Sequence, residues 1–316
     1  YVQDGAPLSP VPVTTPQQPL FEIGSISKVF TGLLVAQAVE RGDLALSDTM
    51  GRLLQGKVSF RSPDVAGITV QQLLTHSSCL PRQYGGAVNA SAVATQLREG
   101  DRTSLWAALA GQTLTQAPPC DATYSNYGLA VLGEVLSERY SKPWIELVRE
   151  RITGPLGMSD TVVSLGDQAR RMAPPFDGLR EAPLWDMKAF VGAGGLRSTP
   201  HDMLLFGRAI LAGRSGPLGA AAEQLVAPLG PYEGGRIGHA IFVVGPPDRL
   251  SSSHDGPTGA YRALLTLYPD TGEVMVVLAS NRQASRRQLG ADLWASRYPV
   301  RSSPVDVAAS LLGDRS

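Results

Sequence analysis

The sequence has no excess of charge of either sign and no long apolar run. Lys and Arg together number 28, as do Asp and Glu, so the formal net charge is zero. A chain without a basic field is not expected to gather nucleic acid or anionic lipid. No apolar run reaches the ~18 residues of a membrane span. What remains is the composition of an ordinary globular protein, with no protein partner indicated.

Cysteine is almost missing. The two cysteines, Cys79 and Cys120, are too few for a disulfide scaffold and lack the C-x-x-C spacing of many metal sites. Two buried thiols and one disulfide bridge both fit this count. Nothing else in the sequence indicates a metal or a cofactor.

Lysine is also rare, because only four of the basic residues are lysines: Lys28, Lys57, Lys142 and Lys188. A lysine that stands beside a nucleophile is therefore informative in this chain. Lys28 is such a residue.

The beginning of the chain lacks the usual starting signals. It opens with Tyr-Val-Gln-Asp, without an initiator Met or the apolar segment of a signal peptide. We expect that a leading segment has been removed. Residues 1–20 are rich in Pro, Thr and Gln, which predicts the end of a strand-turn element followed by an extended connector.

Helical patterns dominate the chain up to about residue 225. From Ser25 to Glu40 apolar residues occur on nearly every side and Gly42 ends the pattern, which predicts a buried helix. Asn126 and Thr199 are N-cap candidates for two further helices. The helical stretches of the middle region are separated by Gly- and Pro-rich loops and cover 69–76, 90–98, 103–111, 127–140, 144–153 and 200–212.

The C-terminal part changes to strand patterns. They cover 237–245, 249–254, 260–268 and 273–280, with a hairpin turn at 269–272 and a final helix over 283–296.

This order of elements predicts an α+β fold, in which both chain ends complete one antiparallel sheet that is flanked by helices. Residues 1–45 and 225–316 would form a discontinuous sheet domain and 46–224 a mainly helical domain. The active site would lie between the two.

Ser25-Ile26-Ser27-Lys28 places a hydroxyl and an ammonium group three residues apart at the start of the predicted buried helix. Both side chains then project from one face and can form a hydrogen bond. A lysine whose pKa is lowered by burial and by the helix N-terminus can take the proton of a serine nucleophile. The alternative is a helix cap and a solvated charge.

Tyr124-Ser125-Asn126 lies in a loop just ahead of a predicted helix. A phenol beside an ammonium group can transfer a proton, and an Asn amide can hold a substrate carbonyl. An aromatic plug with an N-cap explains the same residues.

Further along, His254-Asp255-Gly256-Pro257-Thr258-Gly259 joins two predicted strands, and glycine there allows a substrate to approach the backbone closely. Alone, this segment is only a turn.

Together, the three segments resemble the serine β-lactamase and penicillin-binding protein superfamily, whose members combine Ser-x-x-Lys, a second motif and Lys-Thr-Gly. Tyr-x-Asn is similar to the second motif of the class C-like branch, in which His-x-Gly often replaces Lys-Thr-Gly. The resemblance extends over about 20–295, because further stretches also match: Phe21–Ser25, Leu73–Pro81, Gly192–Leu196 with Ser198 and Thr199, and the predicted strand pair after Gly259. The competing α/β-hydrolase interpretation lacks a Gly-x-Ser-x-Gly elbow.

The resemblance implies a role for each of these residues. Ser25 would be the acylated nucleophile, with Lys28 and Tyr124 as the proton-transfer pair. His254 would occupy the position of the third-motif lysine as a weaker, pH-dependent cation for a substrate carboxylate. Asn126 would bind the substrate amide, and the remaining implied substrate-binding residues are Asp255, Gly256 and Thr258. His76, His201 and His239 would be structural.

Two features depart from the family pattern: the length of the segment ahead of Ser25 and the two cysteines at positions 79 and 120. The segment ahead of Ser25 is shorter than in other members, so we expect a trimmed chain. Cys79 replaces the usual Gly, and Cys120 lies shortly before Tyr124. Both stretches line the same cleft in the family fold, so the resemblance allows a disulfide in an oxidising compartment. A periplasmic or secreted bacterial location is therefore expected.

The third departure is Pro257. In this family one oxyanion-hole N–H comes from the nucleophile and the other from the residue after the third-motif Gly. Pro257 fills that position and has no N–H. Either the Thr258 N–H replaces it through a shifted strand, or the enzyme is slow, because the loss of one donor costs roughly 10²–10³ in turnover.

The sequence thus predicts a serine hydrolase that forms an acyl-enzyme on Ser25. Its expected substrate is a β-lactam or a D-Ala-D-Ala-type peptide. Two alternatives stay open, a small-acyl esterase and a catalytically weak penicillin-binding or sensor module.

Overall fold

The computed structural model describes residues 18–285 with the exception of 86, 88, 247 and 248. In this part of the chain the α-helices are α1 Ser27–Glu40, α2 Met50–Leu53, α3 Pro63–Ala66, α4 Val70–Leu74, α5 Ala90–Glu99, α6 Arg102–Gly111, α7 Asn126–Tyr140, α8 Trp144–Val148, α9 Val191–Gly194, α10 Pro200–Leu211 and α11 Ala220–Val226. Short 3₁₀ segments cover Gly24–Ile26, Gly166–Arg171 and Gly213–Ser215, and a π-helical turn covers Arg149–Thr153.

The strands over the same residues are β1 Phe21–Glu22, β2 Phe176–Asp177, β3 Arg180–Glu181, β4 Arg197–Ser198, β5 Gly230–Tyr232, β6 Gly235–Ile237, β7 Phe242–Val244, β8 Ser251–Asp255, β9 Arg262–Tyr268 and β10 Glu273–Ala279. Strands β5 to β10 form one antiparallel sheet in the order β10-β9-β8-β7-β6-β5. Each strand therefore pairs with its neighbour in sequence, and this confirms the α+β class.

The long C-terminal hairpin matches the sequence pattern. Tyr268 pairs with Glu273, and the intervening turn closes at Gly272, whose φ of +69° favours glycine. The strand expected over 237–245 is wrong in extent. Ile237 pairs with Phe242, so the segment is a tight hairpin in which the Gly238 N–H donates to the Ile241 carbonyl at 2.9 Å.

The N-terminal strand does not join this sheet. Phe21 pairs with Ser198 and Glu22 pairs with Arg197, so β1 and β4 form a separate two-stranded ribbon. The N-terminal segment 1–17 and nearly all of the helix expected over 283–296 lie outside the described residues. The division into 1–45 with 225–316 and 46–224 stays a prediction.

Helix α1 is the centre of the core, as its all-round apolar pattern predicts. Every residue from Ser27 to Ala38 is buried, and the helix packs against α7, α9 and α11. The Phe30 ring stacks on Phe206 of α10 with centroids 4.0 Å apart. A side chain at Gly32 would place its Cβ 1.9 Å from the His239 carbonyl oxygen, so only glycine allows this approach. The Ser-x-x-Lys segment therefore leads into a helix that is buried from Ser27 to Ala38.

Helix starts follow local capping chemistry. The Thr199 hydroxyl accepts the Asp202 N–H at 3.3 Å, so α10 has the expected N-cap. At α7 the expectation is wrong, because Ser125 caps the helix and Asn126 is its first residue. The Ser125 hydroxyl accepts the Gly128 N–H at 3.0 Å. Of the helices in the described residues, none has both the length and the apolar composition needed to cross a bilayer.

Candidate active site

Ser25 and Lys28 meet at the entrance to α1. Ser25 lies in the 3₁₀ turn that precedes the helix and is half-buried, whereas Lys28 is fully buried one turn later. The Lys28 Nζ lies 2.9 Å from the Ser25 Oγ. The hydrogen bond expected from the spacing of the two residues is therefore present.

Two further oxygen atoms surround the Lys28 Nζ. The Asn126 Oδ1 lies at 2.8 Å and the Ala193 carbonyl oxygen at 2.5 Å. Both atoms can only accept a hydrogen bond. A neutral amine gives its two hydrogens to these acceptors, and its lone pair then faces the Ser25 hydroxyl.

Burial favours this neutral amine. It lowers the pKa of Lys28 well below its ordinary value, and the positive charge of Arg82 lowers it further. A buried amine with a lowered pKa can accept a proton from a neighbouring hydroxyl, and the Ser25 hydroxyl is such a neighbour.

Tyr124 covers the other side of this pair. The Lys28 Nζ lies 4.9 Å from the centre of the Tyr124 ring. Burial raises the pKa of Tyr124, and a hydrogen bond with Ser25 acts in the opposite direction. The phenol therefore stays protonated at neutral pH and can donate a hydrogen bond beside the nucleophile.

His76 supports the Tyr124 loop from behind. It is buried, its ring centre lies 4.6 Å from that of Tyr124, and its Nδ1 accepts the Ser125 N–H at 3.2 Å. Burial, followed by the charges of Lys28, His254 and Arg82, holds the pKa of His76 well below its ordinary value. These are the contacts of a neutral structural histidine.

A disulfide joins Cys79 to Cys120, with Cα atoms 5.4 Å apart. The bridge fastens the segment after α4 to the segment before Tyr124. The Cys120 N–H donates to the Ser77 carbonyl and the Thr123 N–H to the His76 carbonyl, both at 2.9 Å. The cysteine count allows either two buried thiols or one disulfide bridge, and the structure contains the bridge.

The end of β8 packs directly on the nucleophile turn. A side chain at Gly256 would place its Cβ 1.8 Å from the Ile23 carbonyl oxygen and 3.2 Å from the Ser25 nitrogen. Only glycine allows this contact, so the third motif is held at van der Waals distance from the nucleophile.

His254 and Asp255 take different places at the same strand end. His254 is fully buried, and its ring centre lies 5.0 Å from that of Phe242 and 6.2 Å from that of Tyr124. Its Nδ1 donates to the Asp255 carbonyl at 2.6 Å. Asp255 pairs with Leu264 as the last residue of β8. The structure thus places His254 behind Tyr124 and not on the cleft surface.

Pro257 lines the cleft beside Ser25, whereas Thr258 faces inwards. The Thr258 N–H donates to the Tyr261 carbonyl at 3.0 Å, and its hydroxyl accepts the Tyr261 N–H at 3.0 Å. The same hydroxyl is hydrogen-bonded to Glu22. The structure therefore has no shifted strand that offers the Thr258 N–H in place of the donor missing at Pro257.

The profile of the Beta-lactamase family matches residues 2–297. The chain belongs to the β-lactamase family.

Characterised relatives support this membership. The chain is 33% identical over 184 residues to the D-alanyl-D-alanine-carboxypeptidase/endopeptidase AmpH of Escherichia coli, a match over 58% of this chain and 46% of that protein. It therefore spans less than half of the length of that relative. Penicillin-binding protein 4 of Amycolatopsis lactamdurans is 26% identical over 94% of this chain and 84% of its own length.

Solved structures share the fold of the β-lactamase family. A β-lactamase/D-alanine carboxypeptidase from Yersinia pestis superimposes with a TM-score of 0.76 over 96% of this chain and 87% of its own, at 22% identity. A class C β-lactamase from Rhodobacter sphaeroides gives 0.75 over 89% and 86%, also at 22% identity. These likenesses confirm the serine β-lactamase/D,D-peptidase-like fold.

Sequence reasoning missed the outer walls of the cleft. Arg82 directly follows the Leu73–Pro81 stretch, and its guanidinium carbon lies 4.9 Å from the Tyr124 ring centre. The apolar lining comes from α5 and from the segment before α9, with Val93, Leu97, Trp185, Met187 and Phe190. Arg82 directly follows a family motif, and that position was the sequence signal for its place in the cleft. The apolar lining depends on tertiary packing and left no such signal.

Proposed function

We propose that the chain is a serine hydrolase that forms an acyl-enzyme on Ser25 and opens an amide bond. The substrate is a β-lactam or a D-Ala-D-Ala-type peptide. The observation that carries this proposal is the buried Lys28 Nζ, 2.9 Å from the Ser25 Oγ with its other neighbours limited to acceptors. Two relatives, a D-alanyl-D-alanine-carboxypeptidase/endopeptidase and a penicillin-binding protein, support the proposal by the substrates in their names.

Acylation begins with proton transfer. The neutral Lys28 amine takes the Ser25 proton as the Oγ forms its bond to the substrate carbonyl carbon. The negative charge on the carbonyl oxygen is met by the Ser25 N–H. Lys28 and Tyr124 then return one proton to the leaving nitrogen as the amide C–N bond breaks. Water then attacks the carbonyl carbon of the ester, and Lys28 takes a proton from it. That proton passes to the Ser25 Oγ as the ester C–O bond breaks, which frees Ser25.

Asn126 is the proposed binding residue for the substrate amide. Its Oδ1 is occupied by Lys28, so its NH₂ group remains to donate to a substrate carbonyl. Gly256 is assigned to the close packing of the strand end on the turn that carries Ser25.

The other third-motif residues act less directly in this proposal. His254 is buried and both polar groups of Thr258 are engaged within the protein, so we assign them to shaping the site. Asp255 is assigned to holding the strand end.

A catalytically weak penicillin-binding module is the second candidate. It is favoured by Pro257, which removes one oxyanion donor, and by the internal hydrogen bond of the Thr258 N–H. In this case acylation would proceed while turnover stays slow.

Intact-mass spectrometry separates these candidates. The chain is incubated with a penicillin, a carbapenem and a p-nitrophenyl ester, and adduct and product are followed together. A hydrolase gives a transient adduct with product release, and a binding module gives a lasting adduct. Turnover of the ester alone would indicate an esterase, and the absence of any adduct or product would overturn the proposal.

We also propose a periplasmic or secreted location in a bacterium. The Cys79–Cys120 bridge supports this, because disulfides persist in oxidising compartments. Labelling of free thiols in freshly lysed cells tests it, since a cytosolic protein would carry two free thiols.

A further inference from the structure

Arg82 is a charged residue on the cleft surface without a carboxylate partner. Of the described residues that line the cleft, it alone carries a formal charge. Its side chain is exposed, and no ion pair within the described part of the chain involves it. An exposed arginine held against a reactive site is available to a ligand.

The position of Arg82 is fixed by two contacts. Its carbonyl oxygen accepts the N–H groups of Asn126 and Tyr127 at 3.0 and 3.2 Å, which anchor its backbone to the start of α7. Its guanidinium carbon lies 4.9 Å from the centre of the Tyr124 ring, within the range of a cation–π contact, while the residue as a whole stays exposed. An arginine fork held in this way suits a carboxylate, which it can bind through two parallel hydrogen bonds.

Among the described residues around the cleft, no other cation is exposed to compete with Arg82 for an anion. Lys28 and His254 are fully buried, and the wall around Arg82 is apolar. Arg82 lies on the Asn126 side of Ser25, where the acyl part of the substrate binds in the proposed function. A carboxylate on that part would therefore reach Arg82.

We propose that Arg82 is a specificity-determining residue that binds a carboxylate carried on the acyl side chain of the substrate. This inference rests on the proposed function. It names a substrate class, acyl donors with an anionic side chain, and distinguishes them from donors with a neutral one.

Benzylpenicillin and carbenicillin form a matched pair for the test. They differ by one carboxylate on the acyl side chain and share the carboxylate of the ring system. The acylation efficiency of each is measured by intact mass at several times, in the wild-type chain and in Arg82→Gln and Arg82→Lys. Arg98→Gln is the control, because Arg98 is an exposed arginine paired with Glu99 and does not line the cleft.

The readout is the ratio of the carbenicillin to the benzylpenicillin efficiency within each variant. We expect Arg82→Gln to lower this ratio about tenfold, in line with one charge-assisted contact, and Arg82→Lys to lower it less. Arg98→Gln leaves the ratio unchanged. Added salt should lower the wild-type ratio towards that of Arg82→Gln.

Each other outcome contradicts the inference. An unchanged ratio in Arg82→Gln means that Arg82 does not bind the extra carboxylate. An equal loss for both penicillins assigns Arg82 to the shared carboxylate or to the support of Tyr124. A wild-type chain that reacts with neither penicillin overturns the proposed function, and the inference with it, whereas reaction with both and no Arg82 effect overturns the inference alone.

Discussion

The two sides of the nucleophile use their hydrogen bonds differently. On the α1 side, the Lys28 Nζ has three oxygen neighbours, one of which is the Ser25 Oγ. On the β8 side, Pro257 offers no N–H, and the Thr258 N–H is consumed by the Tyr261 carbonyl. In the proposed mechanism the α1 side transfers the proton and the β8 side stabilises the oxyanion, so the two tasks use separate groups. Pro257 would remove a donor from the second task alone.

The largest expected effect is on the α1 side. Ser25→Ala should abolish covalent labelling by a penicillin or a fluorophosphonate, because the hydroxyl supplies the bond that forms. Folding should be unchanged, since the side chain is small and half-buried. Labelling is read by intact mass, with Ser215→Ala, an exposed serine far along the chain, as the control. Persistent labelling of Ser25→Ala would remove Ser25 from the mechanism.

Replacement of the base comes next. Lys28→Ala should slow acylation by about 10²–10⁴, the usual contribution of a positioned base. In the wild type, acylation should be retained above the lowered pKa of Lys28 and decline as the pH falls through it, because the protonated amine cannot take a proton. Stopped-flow acylation across pH checks both statements. A variant with a near-normal rate would place the base elsewhere.

The same lysine affects stability with a defined sign. Because the folded-state pKa is lowered, the unfolded chain binds more protons between that pKa and the ordinary value near 10.4, so stability rises with pH in this range. Lys28→Met should therefore flatten the pH dependence of stability in this range and slow acylation. Thermal unfolding of both proteins at several pH values tests this, and a steeper slope in Lys28→Met would contradict it.

The β8 side is tested by restoring a donor. Pro257→Gly should raise the acylation rate by up to about 10², because a glycine supplies the missing N–H. Glycine also loosens the strand end, which would lower the gain. Pre-steady-state acylation by a chromogenic cephalosporin gives the rates, and Pro257→Ala, which supplies an N–H with less flexibility, is the matched variant. If neither variant is faster, the oxyanion hole does not lack this donor.

The smallest effect on chemistry is expected from the disulfide. Cys79→Gly with Cys120→Ser should lower the free energy of unfolding by about 3–4 kcal/mol, the chain-entropy value for the 41-residue separation. Glycine suits the φ of +61° at position 79. Urea unfolding measures the loss. Free-thiol titration of protein purified without reductant should find no free thiol, and two would contradict the bridge.

The sequence predicts those helices and turns that are determined by residues close to one another in the chain. The all-round apolar pattern of α1, the N-cap at Thr199 and the hairpin closed at Gly272 all depend on neighbouring residues, and the structure confirms them. The hairpin at Ile237 and Phe242 was missed because its turn contains a single glycine, Gly238, and places the non-glycine residue Ala240 at a φ of +58°. The pairing of β1 with β4 could not be predicted, since strand partners distant in sequence leave no periodic pattern.

In the candidate site, too, some contacts follow from residues close in sequence and others depend on tertiary packing. Ser25 and Lys28 are one helical turn apart, so their contact follows from spacing alone. The burial of His254 and the inward direction of Thr258 depend on how β8 packs between β7 and β9, and the motif alone does not contain that information.

The contact of Gly256 with the nucleophile turn has a consequence for the opening of the cleft. Even one methyl group cannot fit between the Gly256 backbone and the Ile23 carbonyl, so the turn that carries Ser25 leaves no gap against the end of β8. Room for an incoming acyl donor, and for its departing product, must then come from the opposite wall formed by α5 and the segment around Trp185. We therefore expect the motion of that wall to control how quickly the enzyme releases product.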